Sequence, residues 1–190
     1  SLKVISLAIK HAEKSIEIDR LDPFANFVMG RSYWLRGQTD QSVPWLERAI
    51  QLNPSYAQGY YAFGLASLMS DDSLRSYDES KRAVSLSPMD PFLYGFFGIR
   101  AFSYLADEDF ENASDWANKA ALQPEALVVM DLLAAACCVL VGRREECQQW
   151  LVKARLRSPS IDRNYFFQAL PFGDTKVKKL LNRAFNEMNV

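Results

Sequence analysis

An all-α chain built from repeated units is the fold that this 190-residue sequence predicts, on three observations. Only eight Gly and eight Pro interrupt it, and long β-branched runs are scarce, which favours helix over strand. Apolar types make up 49% and charged types 24%, an ordinary globular balance that excludes disorder for the bulk and supplies a core without staples. Segments also recur at a fixed offset. Ala49-Ile50-Gln51-Leu52-Asn53-Pro54 returns 34 residues on as Ala83-Val84-Ser85-Leu86-Ser87-Pro88, and Gly30, Gly64 and Gly98 keep the same spacing.

The elements follow in order. Leu2 to about Ile18 reads as a helix with small residues at Ala8, Ala12 and Ser15. Four pairs of helices come next, over 23–56, 57–90, 91–126 and 128–161. Pro54, Pro88 and Pro159 cannot continue a helix and mark the ends of second helices. Gly30, Gly64 and Gly98 are expected where paired helices touch, so Gly98→Leu would overpack the third pair. The steps from Pro88 to Pro124 and Pro159 are 36 and 35, so small insertions are expected in the last units. The acidic run 107–111 reads as a polar turn between helices, and the stretch from Ser160 to Leu170 as a short helix. Asp174 reads as the N-cap of a last amphipathic helix, with Val177, Leu181, Ala184, Phe185 and Met188 on one face.

This pattern resembles the tetratricopeptide repeat, a helix–turn–helix unit of 34 residues. Met29-Gly30, Tyr33, Leu46, Ala49 and Pro54 carry the resemblance in the first unit, and Phe63-Gly64, Ala83 and Pro88 in the second. The third has Phe97-Gly98 and Ala113, and the fourth Gly142, Cys147, Ala154 and Pro159. The resemblance implies a right-handed superhelical solenoid of antiparallel helix pairs, one array over 1–190, with 162–190 as capping helices. In that register residues 1–20 are the orphan second helix of a truncated repeat, so the chain is expected to be a piece of a larger protein. The tail Arg163-Asn164-Tyr165-Phe166-Phe167-Gln168-Ala169-Leu170-Pro171-Phe172 further resembles the end of repeat arrays in bacterial class III adenylate cyclases and winged-helix transcriptional regulators. That likeness implies the regulatory C-terminal region of a signalling or transcription-regulating protein.

The chemistry of an enzyme is not legible. His11 is the single histidine, and neither a phosphate-binding Gly-rich motif nor a zinc motif occurs. No catalytic residue, metal ligand or cofactor is therefore expected. Cys137, Cys138 and Cys147 lack ligand or disulfide spacing and read as reduced core thiols, which places the protein in the cytoplasm. No run of 18 apolar residues predicts a membrane span. Residues 1–142 carry a net charge of −6 and 143–190 one of +5, too thin a basic excess for direct nucleic-acid binding.

What remains is a non-catalytic protein–protein interaction scaffold. In the resembled family the first helix of each unit lines a concave groove. That register puts Phe24, Phe27, Arg31 and Trp34 inside from the first unit, Tyr61, Leu65 and Leu68 from the second, and Phe92, Ile99 and Phe102 from the third. Arg31 is the one cation among them, which leaves an apolar surface of the kind that marks an interface. The expected partner is a protein or peptide in this groove, with the N-terminal part of the same polypeptide a candidate. Dimerisation through the groove is the alternative, and a small ligand among Phe27, Trp34, Tyr61 and Phe102 a third reading. Truncating Trp34 or Tyr61 is expected to weaken binding and spare the fold, whereas Arg157 and Lys178 are placed outside or on the cap.

Overall fold

A computed structural model describes residues 2–190, apart from the side chains of Leu2 and Ser73; Ser1 lies outside the described residues. Eleven helices and no strand are present among them. After α1 (Leu2–Ile18) come the pairs α2 (Pro23–Leu35) with α3 (Thr39–Leu52) and α4 (Ala57–Met69) with α5 (Ser73–Leu86). Then follow α6 (Leu93–Ala106) with α7 (Phe110–Ala121), and α8 (Val128–Leu140) with α9 (Arg144–Arg157). The chain closes with α10 (Arg163–Ala169) and α11 (Lys176–Met188). Each helix packs on its neighbours in sequence, which makes the fold the expected solenoid of antiparallel pairs.

Local chemistry sets the helix boundaries. Asp22, Asp72, Asp109 and Asp162 each cap a helix by accepting a backbone N–H of its first turn. Thr175, rather than Asp174, caps α11; its hydroxyl accepts from Lys178 N, while Asp174 stands in solvent beside Lys179. Every first helix ends through a left-handed residue: Gly37, Asp71, Glu108 and Gly142.

The second helices begin at 39, 73, 110 and 144, so successive units are 34, 37 and 34 residues apart. The extra residues fall before α6, around the turn Asp90-Pro91-Phe92, and not in the last units. With this spacing the packing positions align. Gly30, Gly64, Ala101 and Ala135 on the first helices answer Ser42, Ser76, Ala113 and Cys147 on the second, and those four are buried. Ala49, Ala83, Ala120 and Ala154 form a second buried row. Gly98 is therefore not the third member of the Gly30–Gly64 series. A Cβ there would meet Met130 Sδ of α8 at 3.1 Å and nothing of α7.

Gly30 illustrates the close approach. A Cβ on it would lie 2.5 Å from Leu46 Cγ and 3.0 Å from the Ser42 carbonyl oxygen, whose own hydroxyl donates to Gly30 O at 2.7 Å. Gly30→Ala gains about 1 kcal/mol of helix propensity, but overpacking of this kind costs about 1–3 kcal/mol. A net loss of stability is expected, read as a lower urea midpoint at unchanged slope; a higher midpoint would refute the close packing.

The C-terminal segment does not extend the solenoid. It turns back, with α10 on α8 and α11 on α8 and α6. Phe166 of α10 and Phe172 of the following loop stack edge-on against Phe102, and Phe185 of α11 stacks on Phe166. The core is thus continuous from α2 to α11, and α1 joins it through a small separate cluster of Ile9, Ala12 and Met29.

Candidate functional site

The concave face divides in two. Over α6 and α8 it is covered by α10, α11 and the loop between them. Over α2 and α4 it stays partly open. Of the residues expected to line the groove, Phe27, Trp34, Tyr61, Leu65, Leu68, Ile99 and Phe102 are buried, each at most 9% exposed. Trp34 Nε1 donates to Met69 Sδ, which ties α2 to α4. Truncating Trp34 or Tyr61 therefore removes core packing, so neither substitution is a clean probe of binding. Phe24 is 61% exposed, and Arg31 and Phe92 are half-buried. Phe92 sits at the N-cap of α6 rather than on it, a consequence of the longer third step.

Where the open and covered parts meet lies an apolar cavity of about 100 Å³. Arg31, Trp34 and Leu35 of α2 form one wall, and Tyr61 and Leu65 of α4 the next. Leu127 and Met130 close it from the fourth unit, and Ala169-Leu170 from the C-terminal segment. Its floor is α6, through Gly95 and Gly98. With the observed spacing these two stand where α4 has Gln58 and Tyr61 and α8 has Val129 and Leu132. Missing side chains on the floor leave the space. A Cβ on Gly95 would lie 2.9 Å from the Tyr61 ring, so glycine also lets that ring lie flat across the floor. Leu35, Tyr94, Gly95, Gly98, Leu127, Met130 and Leu170 were not among the residues expected from sequence. Two glycines three apart on a first helix were the available signal.

Arg31 is the cation of this cavity. Its guanidinium lies 5.9 Å from the Phe27 ring and 5.8 Å from the Phe92 ring. Among the described residues it makes no ion pair and no side-chain hydrogen bond. Burial pushes the Tyr61 and Tyr56 hydroxyls up to about 12, and Tyr94 upward as well, with the Arg31 charge opposing the rise in all three. These phenols are therefore neutral donors at physiological pH.

The other groups weighed from sequence are structural. Cys137, Cys138 and Cys147 are buried, and burial raises all three thiols. His11 is exposed on α1. Lys178 lies against the cap, its Nζ donating to Phe172 O at 3.0 Å. Arg157 is not on the outside as expected. Its guanidinium reaches across α8 to Asp131, a fully buried carboxylate that also pairs with Lys153 at 3.0 Å. No helix of the described residues is long and apolar enough to cross a membrane.

Residues 30–69, from α2 to the end of α4, match the family model of the TPR repeat. No curated protein matches the chain. Among solved structures, PilW, a widely conserved type IV pilus biogenesis factor, superposes with a TM-score of 0.74 at 16% identity, over 96% of this chain and 82% of its own. MamA from Desulfovibrio magneticus RS-1, residues 41 to the end, gives 0.64 at 18% identity, over 83% of this chain and 88% of its own. YrrB, a TPR protein with an unusual peptide-binding site, gives 0.61 at 15% identity, over 92% and 91%. At these identities the structures speak for the fold. With the repeat signature in the first two pairs and the solenoid packing throughout, the chain belongs to the tetratricopeptide repeat family.

Proposed function

We propose that this chain is a non-catalytic interaction scaffold, the regulatory C-terminal repeat region of a larger bacterial signalling or transcription-regulating protein of the cytoplasm. Its partner is a protein or peptide held on the open part of the concave face. The N-terminal part of the same polypeptide is the first candidate. The observation that carries the reading is the exposed edge of α2: Phe24, Arg31 and Leu35, at helical spacing, stand beside the apolar cavity where the fold leaves the groove uncovered. The apolar side chains Val4 and Leu7, exposed on α1, support a neighbouring unit or domain on that side.

The test adds the region upstream in the polypeptide, purified separately, to the 190-residue chain and measures affinity by titration calorimetry. Phe24→Ser and Leu35→Ser, both at exposed positions, are expected to weaken binding at least tenfold, about 1.4 kcal/mol. Lys179→Ala, in solvent on α11, serves as the unaffected control. Full binding by both α2 variants would move the site off this face. A chain that sediments as a dimer, and as a monomer after Phe24→Ser, would instead favour self-association.

A further inference from the structure

We propose that the cavity between α2, α4, α6 and Leu170 is a ligand site for a small carboxylic acid with an apolar body of about ring size, the carboxylate resting on Arg31. This goes beyond the scaffold reading and does not depend on it.

Size, composition and charge point the same way. An apolar cavity of 150 Å³ stays dry and takes up benzene; the one here is about 100 Å³, so it fits a ring or a short branched chain and excludes a helix. Its floor is opened by Gly95 and Gly98 at places where the neighbouring first helices carry larger residues. Its single cation has no counterion among the described residues. Arg31 is also held in place, between the Phe27 and Phe92 rings, so a carboxylate there meets an oriented guanidinium. Tyr61 and Tyr94, both lining the cavity and both kept neutral by burial, add hydroxyl donors for the same oxygens. A neutral or cationic molecule of the same shape would bury the guanidinium further without satisfying it, which is how the site tells them apart.

The experiment uses 3-phenylpropionate as the acid and 3-phenylpropionamide as its neutral counterpart. Each is titrated into the 190-residue chain and followed by ligand-observed NMR and by the fluorescence of Trp34, which lines the cavity. The acid is expected to bind with one-to-one stoichiometry and the amide about tenfold more weakly, the margin of one charge-assisted pair. Arg31→Gln should erase the difference by weakening the acid alone. Gly98→Ala, whose new Cβ meets only the flexible end of Met130, should weaken acid and amide together by filling the floor. Circular dichroism and the melting temperature show that each variant is folded before it is titrated. Three results overturn the proposal: equal binding of acid and amide to the parent chain, acid binding that survives Arg31→Gln, or no acid binding up to about 10 mM. Binding of a peptide with a C-terminal Phe where the free acid fails would also overturn it, and would assign the cavity to a peptide.

Discussion

Replacing Lys153 and Arg157 together by methionine is expected to destabilise the fold by about 4 kcal/mol, more than any single surface change in the chain. The cause is Asp131. Its side chain is fully buried between α8 and α9, with Lys153 Nζ at 3.0 Å and Arg157 Nη1 at 2.5 Å. Arg157 also donates to the Ala126 carbonyl, and Lys153 to the Ala121 carbonyl at 3.1 Å, so the two cations pin the α7–α8 turn to α9. Removing both leaves a carboxylate in the core with no counterion, the expensive half of a buried pair. The cations themselves are 41% and 37% exposed, so losing either one alone should cost less, about 1–2 kcal/mol. Adding Asp131→Leu to the double variant should return most of the loss, because an apolar replacement needs no partner. At about 3 °C per kcal/mol for a chain of this size, the double variant should melt about 10 °C below the parent. A melting point within about 2 °C of the parent would show that Asp131 is solvated or neutral in the folded state.

Phe166→Ala is expected to release the C-terminal segment from the groove. Phe166 is fully buried at the centre of an aromatic cluster, with Phe185 at 5.2 Å, Phe167 at 5.5 Å and Phe102 at 6.4 Å between ring centres. Emptying such a site costs about 3–5 kcal/mol. In a solenoid that cost falls on the neighbouring interface rather than on the whole array. The expected result is new protease cleavage in the 170–175 loop and loss of α11 helicity, while α2 to α5 keep their protection against hydrogen exchange. Uniform loss of protection from α1 to α11 would show instead that the segment is integral to the array. Released, the segment uncovers Phe102 and the α6–α8 face, so the variant should also bind a hydrophobic dye that the parent does not.

The solenoid was legible in the sequence because its packing rows are made of small residues and its helix ends of prolines and aspartates. Ala49, Ala83 and Ala154 stand where expected, and Cys147 takes a small-residue place in the fourth unit. The third unit misled. Gly98 continues the 34-residue spacing of Gly30 and Gly64 by coincidence, while the true step of 37 is carried by Ala101 and by the caps Asp72 and Asp109. Alanines and aspartates are common enough that this step is hidden by the louder glycine signal. The inward positions of α6 were displaced with it, so the glycine floor of the cavity went unseen. The fate of the groove was not legible for a different reason. That Phe166 and Phe172 fold back onto Phe102 is a contact between residues far apart in sequence, and no local pattern encodes it. Asp131 likewise read as a break in an apolar run until α9 placed Lys153 and Arg157, one turn apart, opposite it.

The left-handed turns have a mechanical meaning. Two of the four are glycine, at Gly37 and Gly142, and two carry acids, at Asp71 and Glu108, although an acid held at positive φ is strained by about 1 kcal/mol. The acids are the two turns that α11 touches. The Lys176 N–H donates to Asp71 Oδ1 at 3.2 Å, Lys176 Nζ meets Glu108 Oε1 at 2.9 Å, and the far end of α11 reaches the fourth unit through Glu187 and Arg144 at 3.1 Å. Each bond is exposed and individually weak, but together they lash one rigid rod across three coils of what is otherwise a spring. Coils so splinted cannot change pitch independently. The compliant joint is then the one the rod does not cross, between the first pair and the second, where Arg31 and Leu35 face Tyr61 and Leu65. Bending there widens or narrows the same cavity, so whatever fills it stiffens the molecule, and a pull on the array is felt first at that point.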